Sequence, residues 1–295
     1  MWYGLKIQKS FDNQEAGTVY VVPTPIGNLE DITYRALNVL RTVSIIAAED
    51  TRNTKKLLNH FDIATHLTSY HEHNKEAKEG QLIARLENGE SIAIVSDAGM
   101  PGVSDPGYEI VRTAINQDFP VVVLPGANAA LCALVGSGLP STEFLFYGFL
   151  PRKKQEKHNE LERLQSLQAT LLFYESPFRV KDTLAAILEV LGNRQIAIAR
   201  ELTKRYEEYT RGNVDEIIGL LEEKQLKGEF CIVVEGGTNE KDTSKELWWG
   251  HLSVIEHVNH YIDNVGMHNK EAIKQVAKDR QMAKRAVYQM YHVNN

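Results

Sequence analysis

Two cysteines in 295 residues leave little material for disulfide or thiolate chemistry. Cys132 and Cys231 both fall in apolar runs, a setting for buried thiols rather than for a disulfide or a metal site. No apolar run approaches the ~20 residues of a membrane-spanning helix. The opening "MWYGLKIQKSFDNQEAG" lacks the apolar core of a signal peptide, so a cytoplasmic protein that meets no membrane is expected. A net charge of −6 argues against a protein that coats nucleic acid by bulk electrostatics. The phosphate-binding patterns G-x-x-x-x-G-K-[ST] and G-x-G-x-x-G are also missing.

What is present is an ordinary globular composition, 43% hydrophobic and 24% charged, with room for two or three domains. Charge is unevenly spread. Residues 270–295 hold six lysines and arginines against two carboxylates, a net +4, which leaves −10 for the rest. A basic tail on an acidic body fits a local site for a polyanion, or else a solvated helix face.

From Thr18 onward, strand-like and helix-like segments alternate, the pattern of a mostly parallel sheet with helices on its faces. "TVYVV", "SIIAA", "HLTSY", "SIAIV" and "PVVVLPG" read as strands, each followed by a helical pattern. A second α/β set begins after Pro125 and runs through "EFCIVVEGG" to Gly237. The division is therefore a leader (1–17), a first α/β domain (18–125), a second (126–237) and a C-terminal helical domain (243–295). The polar stretch "TNEKDTSKE" (238–246) reads as a linker. In the C-terminal part, Ala272, Ile273, Val276 and Ala277 share one helix face, which leaves Lys270, Lys274 and Lys278 at i, i+4 spacing on another. Asn269 reads as the N-cap of that helix and "DRQMA" as a tight turn.

Three glycine- and proline-rich turns follow the first, fourth and fifth of these strands and lead into helices: "VVPTPIGNLEDIT" (21–33), "SDAGMPGVSDPG" (96–107) and "LPGANAA" (124–130). They fall at the carboxyl edge of the sheet, where open α/β folds bind ligands. Asp97 and Asp105 in the second turn oppose a phosphate, and that turn holds no lysine. Carboxylates there suit a cationic or hydroxylated ligand or a metal, and the turn could also be purely structural. His71 and His73 in "YHEHN" lack the partners of a metal site and read as polar loop histidines.

The set "VPTPIGNLEDIT", "AEDTR", "SDAGMPGVSDPG", "LPGANAA", "FYGFLPRK", "FYESPFR", "RELTKRYEE" and "KGEFCIVVEGG" resembles the tetrapyrrole methylase superfamily. The likeness covers Thr18 to Gly237. Within it, "PTPIGNLEDIT", "DTR" and "RELTK" resemble the branch that methylates small-subunit ribosomal RNA, and "NKEAIKQVAKDRQMAKRAVYQMY" resembles that branch's helix-turn-helix-like end. The resemblance implies two α/β domains with S-adenosylmethionine in the cleft between them, a homodimer, and 2′-O-methylation of a cytidine ribose in the 16S rRNA decoding region. It implies no metal, no membrane and no DNA. It places Asp97 as an acceptor for the cofactor, with Ile26, Gly99, Met100, Asn128 and Ala129 making backbone or packing contacts. Tyr174, Leu202 and Phe230 fall around the adenosine. Asn128 departs from the small hydroxyl or proline that many relatives carry there.

A ribose hydroxyl is a poor nucleophile, so its methylation gains from a base or from a cation that stabilises the developing alkoxide. Lys204, then Glu175, are the candidates nearest that hydroxyl, although both could equally form interdomain ion pairs. Arg152, Lys153 and Lys154 join Lys270, Lys274 and Lys278 as candidates for contacts with the small ribosomal subunit. Two rival readings stand beside this one: a methyltransferase acting on a tetrapyrrole, and a non-catalytic RNA-binding or ribosome-assembly factor.

Overall fold

The computed structural model describes residues 5, 7–10, 17–222, 224–237, 249, 252–280 and 282–293. The expected linker 238–246 lies outside them, as does most of the leader. The chain forms two compact units, Met1–Gly237 and Thr238–Asn295.

The first unit contains two five-stranded sheets. One has the order β3-β2-β4-β1-β5, built from β1 (Val19–Val21), β2 (Ile45–Ala48), β3 (Leu67–Ser69), β4 (Ile92–Val95) and β5 (Val121–Val123). Every pairing in it is parallel. The central strands are apolar throughout because both faces are covered. Side chains alternate between the faces. Ile46, Ala48, Ala93 and Val95 pack against Ala36 and Leu40 of α1 (Tyr34–Thr42) and Leu58 of α2 (Thr51–His60). Ile45, Ala47, Ile92 and Ile94 pack against Leu82, Ile83 and Leu86 of α3 (Lys75–Glu87) and Ile110 and Ala114 of α4 (Tyr108–Asn116).

After β5 the chain crosses to the second sheet, where α5 (Ala129–Ser137) packs. That sheet has the order β6-β7-β10-β8-β9, with β6 (Phe144–Phe149), β7 (Thr170–Glu175), β8 (Gln195–Arg200), β9 (Glu208–Asn213) and β10 (Phe230–Val234). Only β6 and β7 pair in parallel. Strand β9 was not expected: "EYTRGN" shows no apolar alternation because it lies at the sheet's edge. One face carries large residues (Leu171, Phe173, Ile196, Ile198, Ile232) under α6 (Lys154–Leu164), α7 (Val180–Leu191) and α8 (Val214–Leu221). The opposite face, against α5, mixes the small Ala197, Ala199 and Cys231 with larger residues such as Leu172 and Val233. This difference in side-chain size leaves room for a ligand on the α5 side.

Cys231 is buried, but Cys132 is exposed, against the expectation of two buried thiols. Only the Ala130, Ala133 and Leu134 face of α5 meets the sheet, while Leu131, Cys132 and Val135 point away from it. Beyond the exposed Arg152, Lys153 and Lys154, Lys157 on α6 is buried and donates to Thr183 Oγ1 at 3.1 Å.

In the second unit, α9 (Val254–Asp263), α10 (Asn269–Asp279) and α11 (Lys284–Val293) pack around Val258, Ala272, Ile273, Val276, Ala277 and Val287. Lys270, Lys274 and Lys278 are exposed on the other face of α10. The N-cap is His268, one residue before the expected Asn269, which lies within the helix. The expected turn "DRQMA" includes residue 281, outside those described.

Where the first-sheet loops meet, Gly126 lies so close to Pro23 that an alanine Cβ would sit 2.6 Å from the Pro23 Cβ. A proline ring cannot swing aside as a flexible chain end does. Gly126→Ala is expected to destabilise the protein by about 1–3 kcal/mol, read as a lower denaturation midpoint. An unchanged midpoint would show that these two loops move independently.

Candidate functional site

Loops at the carboxyl ends of β1 and β4 are stapled together. Thr24 N–H donates to Gly99 O and Gly99 N–H to Thr24 O, both at 2.9 Å. Gly99 has φ +79°, a left-handed conformation that a side chain resists. A Cβ there would also press on Ile26 Cγ2 at 3.3 Å. From this staple the β4 loop reaches across to the second sheet, where Ser104 lies over Gly148 at a bulge in β6. On the other side, Asn28 N–H donates to Thr203 Oγ1 at 3.0 Å, clasping the β1 loop to the loop after β8. That second loop holds Glu201 and Thr203 at φ +51° and +65°, unusual for residues with side chains.

Between these loops and the small-residue face of the second sheet lies a cavity of about 360 Å³. Ile26, Asp97, Gly99 and Met100 line it from the first sheet's loops, and Asn128 and Ala129 from the start of α5. Tyr174, Leu202 and Phe230 line it from the second sheet. All nine residues expected around a cofactor thus border one space. Asp105, the second carboxylate of the β4 turn, also lines it, as do Val103, Phe149, Ala199 and Cys231, which were not assigned to it from sequence. A usable signal existed for one of them: the alternation of large and small residues in "QIAIAR" puts Ala199 on the face left hollow.

Polar groups in the cavity are few. Asp97 accepts from Asp50 N–H at 3.1 Å and Asn53 Nδ2 at 3.4 Å, which couples it to the "AEDTR" segment. Burial, reinforced by the charges of Glu49 and Asp97, raises the Asp105 carboxyl to about 6. Burial also raises Glu49, and the charge of Asp97 adds to the effect. Tyr174 is pushed up to about 12, mainly by burial. Its oxygen accepts Ala130 N–H at 3.1 Å, so its own O–H remains a donor. The Asn128 side-chain oxygen caps α5 by accepting Leu131 N–H at 3.0 Å, which leaves its NH₂ as the group able to meet a ligand. An apolar chamber with a few carboxylates at one end suits an organic cation better than a phosphate. His71 and His73 lie with ring centroids 6.1 Å apart. Among the described residues no three His, Cys, Asp or Glu side chains converge as a metal site.

The profile of the Tetrapyrrole (Corrin/Porphyrin) Methylases matches residues 18–218. The chain belongs to the tetrapyrrole methylase family. Two relatives are named Ribosomal RNA small subunit methyltransferase I. That of Halalkalibacterium halodurans is 55% identical over 98% of this chain and 99% of its own, and that of Bacillus subtilis is 54% identical over the same shares. A solved diphthine synthase matches the methylase with a TM-score of 0.59 at 14% identity, covering 75% of this chain and 90% of that one. The uroporphyrin-III-C-methyltransferase of Thermus thermophilus gives a TM-score of 0.53 at 23% identity, covering 74% of this chain and 94% of its own. These two structures establish the likeness of fold.

In this methylase the two catalytic candidates occupy different settings. Lys204 lies beside Gly27 in the clasp, and its ammonium donates to Glu201 Oε1 and Glu229 Oε2, each at 3.0 Å. Burial pulls its basicity down, but the bonds to the two carboxylates outweigh that and the net shift is upward. Glu229 reaches the cavity wall, so the ammonium is one side chain removed from it. Glu175 borders the cavity but its side chain is fully buried. Oε1 accepts Ser176 N–H and Oε2 accepts Thr183 Oγ1–H, both at 2.8 Å. Lys157 supports Thr183, and Arg179 Nε lies 3.5 Å from Oε1. Arg152, Lys153 and Lys154 are exposed at the start of α6.

Glu175 is thus the anion of a buried cationic cluster. Removing it would leave Lys157 and Arg179 short of their counter-charge. Glu175→Ala is expected to cost about 3–5 kcal/mol of stability, measured by denaturant unfolding. A loss of turnover at unchanged stability would instead give this carboxylate a direct chemical role.

Proposed function

We propose that this methylase transfers a methyl group from S-adenosylmethionine to the 2′-hydroxyl of a cytidine ribose in the decoding region of 16S rRNA. The observation that carries the reading is the convergence of Ile26, Asp97, Gly99, Met100, Asn128, Ala129, Tyr174, Leu202 and Phe230 on one cavity. The named rRNA relatives support the choice of substrate, since their likeness continues past the family profile's end at residue 218 and into the C-terminal unit. In this reading 18–125 and 126–237 are the two halves that share the donor site, and 243–295 is an RNA-facing unit.

When bound, S-adenosylmethionine supplies an electrophilic methyl group on a sulfonium centre. The residues present fit such a donor. Asp97 and Asp105 would hold its positive charge, while Tyr174 O–H and the Asn128 NH₂ would donate to it. Ile26, Leu202 and Phe230 would enclose the flat ring and exclude water. For the transfer itself, the chain must hold the hydroxyl in line with the departing sulfur. Its two carboxylate partners hold Lys204 in the ammonium form, so it would act as a cation towards the developing alkoxide rather than as a base. Glu175, with both oxygens occupied, positions the β7–α7 loop.

Arg152, Lys153, Lys154, Lys270, Lys274 and Lys278 are proposed to meet rRNA phosphates, consistent with their exposure. A homodimer accounts for α5, where Leu131 and Val135 remain exposed on the face opposite the sheet. No helix among the described residues is long and apolar enough to cross a membrane.

Donor binding should need no added metal and should depend on pH. The raised Asp105 carboxyl is neutral below about 6 and ionised above it. Binding a cation favours the ionised form and releases a proton, so affinity should climb from about pH 5 to 7 and then level off. In the free protein the sign is opposite: Asp105 contributes stability at low pH that is lost as pH rises through about 6. By calorimetry, Asp105→Asn should flatten the affinity profile. Asp97→Ala should weaken binding by about 1.5–3 kcal/mol, the cost of losing a charge-assisted acceptor. Wild-type affinity in a folded Asp97→Ala protein, or binding that requires magnesium, would reject this donor site.

The substrate is tested by mapping ribose methylation on small-subunit rRNA from cells with and without the gene. Loss of one 2′-O-methylcytidine in the decoding region, restored by the wild-type protein on assembled subunits but poorly on short naked RNA, is expected. Methylation of a porphyrinoid with no change in rRNA would favour the tetrapyrrole reading. An rRNA-binding protein without turnover would favour an assembly factor.

A further inference from the structure

Phe178, in the turn between β7 and α7, is 91% exposed. One exposed apolar side chain is ordinary, but an exposed aromatic group at the rim of a cavity is informative. Its neighbours Ser176 and Pro177 line the cavity, and so does Phe149 at the end of β6, itself 55% exposed. One edge of Phe149 is held against Tyr174, with ring centroids 5.7 Å apart. Arg179 fixes the two loops together, its guanidinium donating to Leu150 O at 2.7 Å and Pro151 O at 3.0 Å. Glu175 holds Ser176 from below. The aromatic rim is therefore tied down on both sides.

Directly after Pro151 come Arg152, Lys153 and Lys154, all exposed. They precede or open α6, whose N-cap Lys153 makes no side-chain capping bond. Cations at a helix N-terminus oppose its dipole, so this arrangement costs local stability unless an anion is recruited. Glu156 pairs with Lys153 at 2.8 Å, but both are solvent-exposed, and such a pair contributes little. Exposed rings beside clustered cations, at the mouth of a cavity, match the needs of unpaired RNA, where bases stack on aromatics and phosphates seek positive charge.

We propose that Phe178, together with Phe149, forms a stacking platform for an unpaired base next to the nucleotide being methylated, while Arg152, Lys153 and Lys154 hold the adjoining phosphates; the inference rests on the RNA reading above. The full-length protein is assayed with undermethylated small subunits and S-adenosylmethionine. Phe178→Ala should raise KM for subunits about 5- to 150-fold, the range of one lost stacking contact, with donor affinity unchanged by calorimetry. Phe178→Trp should restore KM, and Phe178→Leu, which keeps apolarity without a π-face, should not. Replacing Arg152, Lys153 and Lys154 with Gln should flatten the salt dependence of subunit binding.

Rescue by Phe178→Leu would identify a merely apolar protein contact. A changed sedimentation coefficient in Phe178→Ala would assign the ring to a second copy of the chain. Wild-type KM in folded Phe178→Ala would remove the platform altogether. Anisotropy with a labelled single-stranded RNA oligomer needs no turnover. If the wild type methylates no subunit yet Phe178→Ala weakens oligomer binding, the platform stands and the proposed substrate falls.

Discussion

Thr24 and Gly99 exchange two hydrogen bonds of 2.9 Å, and this pair of bonds sets the position of everything at the cavity's floor. The bonds join loops from neighbouring parallel strands beyond the point where the sheet's own ladder ends. They are possible because Gly99 adopts φ +79° and brings no Cβ toward Ile26. Ser96 reinforces the turn from inside, its Oγ lying 3.3 Å from Ala98 O while its carbonyl accepts Thr24 Oγ1–H at 3.3 Å. With the staple made, Asp97 and Asp105 are carried out beyond the sheet edge, where two carboxylates would otherwise repel each other apart. Part of the cost appears in the raised Asp105 carboxyl.

The opposite wall depends on a different physical device, the use of small residues. Ala197, Ala199 and Cys231 lie on the same face of β8 and β10 that α5 covers, whereas the other face is filled by Ile196, Ile198 and Ile232. One face is a packed core and the other keeps a hollow next to α5. The clasp between Asn28 and Thr203 then fixes the distance between the halves. Left-handed Glu201 and Thr203 store strain in that clasp, and Lys204 follows directly from it. The placement of the ammonium thus follows from backbone geometry as much as from its ion pairs.

Much of this was legible beforehand because the relevant signals are local. The buried parallel strands "IIAA" and "IAIV", the three glycine-proline turns and the basic face of α10 each rest on periodicity or turn chemistry within a few residues. Strand β9 was not legible, since a polar edge strand receives its hydrogen bonds from β8 and carries no apolar pattern of its own. The burial of Lys157 was equally hidden. It depends on Thr183, Glu175 and Arg179, which come from elements distant in sequence. The exposure of Cys132 escaped for the converse reason: an all-apolar helix does not reveal which of its faces meets the sheet.

Charge is placed unevenly around the cavity in a way that composition could not reveal. Glu49, Asp97 and Asp105 gather around the β2 and β4 loops, and each raises or is raised by another's charge. Arg152, Lys153 and Lys154 stand on the loop after β6, beside the exposed Phe178 rim joined to it by Arg179. On the proposed reading, a cationic donor would favour the carboxylates and an anionic chain the basic rim. A net charge of −6 conceals this polarity because the acidic and basic groups nearly cancel in the sum. Carboxylates line the cavity from both sheets, Asp97 and Asp105 from one and Glu175 and Glu229 from the other, so the basic character belongs to the exposed rim outside it and follows from where β6 hands over to α6.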